Sequence, residues 1–210
     1  MPRIVMQIMG NLPTHRVNPS YPFSHLGINF CGPFYIKYKS QRKDAHQTCY
    51  VTVFICYATK AIHLESVTDL TADAMIATLK RFFSRRGTSS SICTDNASNF
   101  KCVNSDLKSL QSMISKPPEP LANYLTNEQV TCKFISPRSP NFCGLWEAGV
   151  KSFKHHLKRT VGNSCLTIEQ FLTIVIQIKG ILDSRLLTPL SSDPDNFGIL
   201  TQDHFLISRP

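Results

Sequence analysis

Asp95 closes a short apolar run in ICTDNASNF (92–100) and is followed at once by small polar residues. A carboxylate placed there suits a site at a strand end. Taken alone, an Asp in this setting is equally a common turn residue. A second carboxylate, Glu147, heads a different pattern: Glu147, Lys151, Lys154 and Lys158 are spaced +4, +3, +4. On a helix these four fall within about 60° of one another, and Trp146, Val150, Phe153, Leu157 and Val161 form an apolar stripe beside them. The spacing puts Glu147 in the first turn of its helix, at the edge of the core, with three cations along the same face. One carboxylate heading a basic face suits a site that holds a metal while gripping a phosphodiester backbone. The alternative is a solvated charged face with an i,i+4 Glu–Lys pair.

The elements that must position these residues follow from periodicity. Residues 1–21 are polar and contain Pro13 and Pro19, an extended lead-in. His25–Phe30 reads as a strand stopped by Cys31-Gly32-Pro33, with a second extended piece from Phe34 to Tyr38. TCYVTVFICYATK, from Thr48, is a β-branched and aromatic run expected to be the central strand, and AIHLESV (61–67) alternates as the next. Residues 71–86 switch to helical spacing, with Thr71 as cap and Gly87 as stop. Ser91–Thr94 is a short strand that delivers Asp95; after a crossover helix it should lie parallel to an earlier strand. Asn99–Met113 and Leu121–Gln129 read as helices, and Thr131–Ile135 as a last short strand. Pro137–Gly144 is a turn-rich loop expected to be mobile. Helices follow over 145–161 and 167–184, then an irregular tail, 187–210. Three strands, helix, strand, helix, strand and two helices make an α/β fold with a five-stranded mixed sheet flanked by helices.

The chain has 210 residues, 42% of them apolar, enough for one sizeable domain. Its net charge of +9 suggests a polyanionic partner, most often nucleic acid, sometimes an anionic membrane surface. There is no apolar run of about 18 residues and no signal-peptide pattern, so neither a membrane span nor secretion is expected. None of the eight cysteines forms a C-x-x-C pair. Buried reduced thiols in an intracellular protein are expected, rather than zinc ligation.

T-D-N-A-S-N-F (94–100) and G-L-W-E (144–147) resemble the second and third acidic motifs of the retroviral-type integrase core, which has an RNase H-like fold. FSHLGINFCGPFYIK, TKAIHLESVTDLTADAM, FSRRGTSSSICTDNASNF, GLWEAGVKSFKHHLKR and SRLLTPLSSDPDNF resemble, in order, the integrase region of BEL/Pao-type LTR retrotransposons. The 51 residues between Asp95 and Glu147 are similar to the long gap of that family. The resemblance implies a core over 22–186 and polynucleotidyl transfer with two Mg²⁺ or Mn²⁺ ions held by three carboxylates. It also implies DNA ends and target DNA as partners, a multimer, and action in the nucleus. Asp95 would be the second metal ligand and Glu147 the third. Lys151, Lys154, Lys158 and Asn96 would contact DNA.

The first ligand of the family is an Asp in a motif resembling G-V-D-[FY]-x-G-P-F. Here that stretch reads Gly27-Ile28-Asn29-Phe30-Cys31-Gly32-Pro33-Phe34, so the catalytic position is Asn29. An amide is neutral and offers one oxygen. Ala97, Asp183 and Leu186 also depart from the family pattern, as drift would leave them. The zinc module that precedes the core in the family has no counterpart in 1–22. The expected function is therefore an integrase core impaired at its first metal position; the alternatives are a catalytically inactive DNA-binding remnant, or a translated fragment with no cellular role.

Overall fold

A computed structural model describes residues 17–37, 46–69, 71–94, 112–113, 116–134, 140–162, 164–190 and 198–207. Strands β1 (His25–Lys37), β2 (His46–Cys56), β3 (Ile62–Val67), β4 (Ser91–Thr94) and β5 (Thr131–Phe134) form a continuous sheet in the order β3-β2-β1-β4-β5. β1, β2 and β3 pair antiparallel; β4 lies parallel to both β1 and β5. These are the five strands expected from the sequence. A sixth, β6 (Leu166–Thr167), pairs with the far half of β1. Two residues carry no periodicity, which is why the sequence does not announce it. β1, not β2, is the middle strand of the five.

β1 also runs on through Cys31-Gly32-Pro33, where the sequence suggests a stop. The register against β2 slips between Cys31 and Phe34, a bulge that accommodates a proline unable to donate to the ladder. Gly32 has φ +145°, and a Cβ there would lie 2.8 Å from Tyr50 Cδ1, so glycine is required.

Helices cover both faces. α1 (Ala72–Arg86) is capped as its sequence predicts: Thr71 Oγ1 accepts from the Ala74 amide, and the Gly87 amide donates to the Phe83 carbonyl. Its Met75, Leu79 and Phe82 pack with Leu26, Ile28, Phe30 and Phe54 from the sheet, and with Leu121 and Leu125 of α2 (Glu119–Asn127). Phe82 stacks on Phe54 at a centroid distance of 4.3 Å. On the opposite face, Val51, Val53 and Ile55 meet α3 (Pro140–Val161) and α4 (Ile168–Asp183) through Trp146, Phe153, Phe171, Val175 and Ile178. With both faces covered, β2 loses polar alternation and reads as one continuous apolar run. The helix expected over 99–113 lies almost wholly outside the described residues. The tail, expected to be irregular, carries a hairpin of β7 (Leu186–Pro189) with β8 (Ile199–Thr201) and a short α5 (His204–Ile207).

The edge strand β3 is tied to α1 by a buried polar network. His63, 3% exposed, has Nε2 2.9 Å from Glu65 Oε1, and its Nδ1 accepts from Arg86 Nε at 3.4 Å. Those contacts require a neutral ring that donates from Nε2. Glu65 also accepts from Arg81 Nε at 2.9 Å and from Arg85. Burial holds His63 below its ordinary pKa, helped by the charges of Arg86 and Lys179 and opposed by Glu65. Burial pushes Glu65 up, but hydrogen bonds from His63 and Arg81 and the Arg85 charge bring it below the usual carboxylate value. Both folded pKa values are therefore depressed, so the unfolded chain takes up each proton first as pH falls. Stability should begin to fall below about pH 6.5 as His63 charges, and fall again below about pH 4.3 with Glu65. Urea midpoints measured from pH 7.5 to 5.5 should drop in the unaltered protein and drop less in His63→Gln, where the depression at His156 remains. A level profile in the unaltered protein would remove His63 from this role.

Candidate active site and nucleic-acid face

β1 and β4 run parallel with Ile28 opposite Thr94. Asn29 follows Ile28, and Asp95 follows Thr94 in the sequence. Asp95 and Asn96 themselves lie outside the described residues. Asn29 pairs with Val53 of β2 and sits between Gly27 and Cys31 on the strand face turned to α3, because side chains two apart share a face.

The seat of α3 on this face is set by glycines. A Cβ on Gly27 would lie 2.6 Å from Trp146 Cε3, and one on Gly149 would lie 2.5 Å from Ile55 Cδ1. Against the rigid Trp146 ring only a residue without a Cβ allows this approach; at Gly149 the neighbour is the flexible end of the Ile55 side chain. Trp146, fully buried, thus lies over Gly27, two residues before Asn29 on the same face, and Glu147 is its chain neighbour. The structure brings the Asn29 segment and the Glu147 turn together. Sequence reasoning singled out Asn29 and Glu147 but not the two glycines that seat α3. The signal was available as G-x-N and W-x-x-G, small residues at fixed offsets from the candidate ligands.

Glu147 does not stand in the first turn. α3 begins at Pro140, so part of the stretch read as a turn-rich loop is helix and Glu147 lies about two turns in. Glu147, Lys151, Lys154 and Lys158 are all exposed, whereas Trp146, Phe153 and Leu157 are buried, as the two-stripe reading requires. Among the described residues Glu147 forms no salt bridge with Lys151. Lys158 and Arg159 occupy the last turn, where cations also favour the helix dipole. Lys154 acts inward as well: burial pushes the Cys31 thiol up to about 12, against the opposing charge of Lys154. Cys31, Cys49, Cys56 and Cys93 are buried and form no disulfide.

Asn29 is 3% exposed, and its Oδ1 accepts from the Phe30 amide at 2.7 Å. This amide oxygen accepts from the backbone with one of its two lone pairs, and it carries no charge. Among the described residues no group of three His, Cys, Asp or Glu side chains could hold a metal ion. Asn29 offers a neutral amide and Glu147 an exposed carboxylate; Asp95, the remaining candidate ligand, lies outside the described residues. Asp183 and Leu186, read as drift, differ from each other. Leu186 is exposed, while Asp183 is fully buried and bonded on both oxygens to Ile62 and Lys179.

No helix of the described residues is long and apolar enough to cross a membrane. No family model matches the sequence, and no curated protein does. Solved structures do. The simian T-cell lymphotropic virus intasome, in complex with the PP2A regulatory subunit B56 gamma, superposes with a TM-score of 0.58 at 15% identity. The match covers 90% of this chain and 56% of the intasome chain, so this chain spans little more than half that length. The HTLV-2 integrase catalytic core domain in complex with magnesium matches in its trimeric form with a TM-score of 0.54 at 13% identity, over 89% of this chain and 97% of that one. Its dimeric form gives 0.52 at 13%, over 80% and 92%. The mixed sheet with helices on both faces is thus the RNase H-like fold of the retroviral integrase catalytic cores.

Proposed function

We propose that the chain is an integrase-type core of BEL/Pao retrotransposon descent that binds DNA along α3, with its Mg²⁺- or Mn²⁺-dependent phosphodiester transfer impaired by Asn29. The observation that carries this reading is the seat of Trp146 on Gly27. It brings the Glu147 turn over the part of β1 that holds Asn29, and three exposed lysines continue from Glu147 along the helix. A basic face leading away from a would-be metal position is what a strand-transfer core needs to hold a phosphate backbone. The engaged amide of Asn29 favours the second reading, a DNA-binding remnant without catalysis. In either case the place of action is wherever DNA is, the nucleus. The exposed apolar row Leu172 and Ile176 on α4 supports assembly into a homo-oligomer. The proposed core spans 22–186.

DNA affinity measured by fluorescence anisotropy should fall steeply with salt. Changing Lys151 and Lys154 together to alanine should flatten the log–log slope by about 1–2, because each lysine that neutralises a phosphate releases about one counterion. An unchanged slope would move DNA binding off α3, and no binding at all would leave a fold without this function.

A further inference from the structure

A cavity of about 640 Å³ lies between the far half of β1, the end of α3 and the start of α4. It is within the range of small-molecule sites. Phe34, Leu157 and Phe171 give it an apolar wall, while Lys154, Lys158 and His46 line it as well. Among the described residues no acidic side chain lines it. The pinning of Leu166 and Thr167 to Ile36 and Lys37 holds its two sides at fixed separation. Cys165 sits in the same lining, with Sγ 3.4 Å from His46 Nδ1 and donating to the Tyr35 carbonyl at 3.6 Å.

We propose that this cavity binds a small organic anion with a ring-sized apolar body and a single carboxylate, sulfonate or phosphate head. The body fits the Phe34–Leu157–Phe171 wall, and the head meets Lys154 and Lys158. Two cations, with no acid among the described lining residues, leave a positive surplus that an anion completes. An apolar wall of this size gains from a ring and gains nothing from a bare ion.

Cys165 supplies the readout, since it is exposed and lines the cavity. Alkylation of Cys165 by iodoacetamide, followed by peptide mass spectrometry, would be timed with 2-naphthoate, neutral 2-naphthamide or inorganic phosphate present. At ten times its dissociation constant, 2-naphthoate should slow Cys165 alkylation about tenfold. 2-Naphthamide and phosphate at equal concentration should not. Lys154→Ala and Lys158→Ala, both on exposed helix surface, should each weaken 2-naphthoate about five- to tenfold by calorimetry. Absence of protection by 2-naphthoate overturns the site. Equal protection by 2-naphthamide overturns the role of the lysines, and equal protection by phosphate overturns that of the apolar wall.

Discussion

Asn29→Asp should raise Mn²⁺-dependent strand transfer, or its reversal on branched DNA, at least about a hundredfold over the unaltered protein. The change is isosteric, so packing at this 3% exposed position is kept. What it adds is a charge and a second oxygen, beyond the one that now holds the Phe30 amide. Supporting groups around a metal already matter by roughly 10- to 100-fold. A missing ligand charge should matter at least as much, about 2.7 kcal/mol of barrier. Asn29→Ala should remain inactive, which separates gain of the carboxylate from loss of the amide. Turnover by the unaltered protein equal to that of Asn29→Asp would show that an amide suffices. The register of Ile28 against Thr94 is the reason to expect that one change is enough: the strands leading to both positions are paired.

The second large effect is expected at Asp183, on stability. Its Oδ1 accepts from the Ile62 amide at 2.7 Å and its Oδ2 from Lys179 Nζ at 2.9 Å. Ile62 opens the edge strand β3, so this carboxylate fastens the end of α4 to the sheet edge. The Asp183 carbonyl also accepts from the Asp203 amide at 3.1 Å, which holds the tail. Burial pushes the Asp183 carboxyl up from its ordinary value, against the pull of Lys179 and of the Ile62 amide. Removing it leaves a largely buried ammonium and a buried amide without their partner. Asp183→Ala should therefore lose about 3 kcal/mol in urea unfolding at pH 7. Asp183→Asn keeps an acceptor for Ile62 and should lose less. A loss below about 0.5 kcal/mol in Asp183→Ala would show that the pair contributes nothing beyond its alternatives. What looks like drift in the sequence is, at this residue, a structural bond.

The elements carrying chemistry were legible because each has a strong local cause. α1 has a cap, a stop and a helical apolar face; α3 has two clean stripes; β4 is a short apolar run ending at the candidate Asp. Features that depend on partners distant in sequence were not legible. The two-residue β6 exists only because Ile36 and Lys37 offer an edge to it. β1 passes through Gly32-Pro33 because a bulge, invisible in composition, absorbs the proline. The start of α3 lies earlier than its sequence suggests because Pro140 and Gly144 read as turn residues, and tertiary packing of the helix outweighs that local preference. Glu147 and the three lysines share one exposed face, as their spacing requires. The seat of α3, Trp146 on Gly27, is a contact across 119 residues of chain, and only the small residues of G-x-N and W-x-x-G hint at it locally.

The central claim is that position 29 no longer serves a metal while the rest of the site's framework is intact. Mn²⁺ titration followed by electron paramagnetic resonance tests it without relying on turnover. The unaltered protein is expected to bind Mn²⁺ weakly, Asn29→Asp at least about tenfold more tightly, and Asn29→Asp combined with Glu147→Gln weakly again. Tight binding by the unaltered protein, or tight binding in Asn29→Asp that ignores the loss of Glu147, would contradict the account.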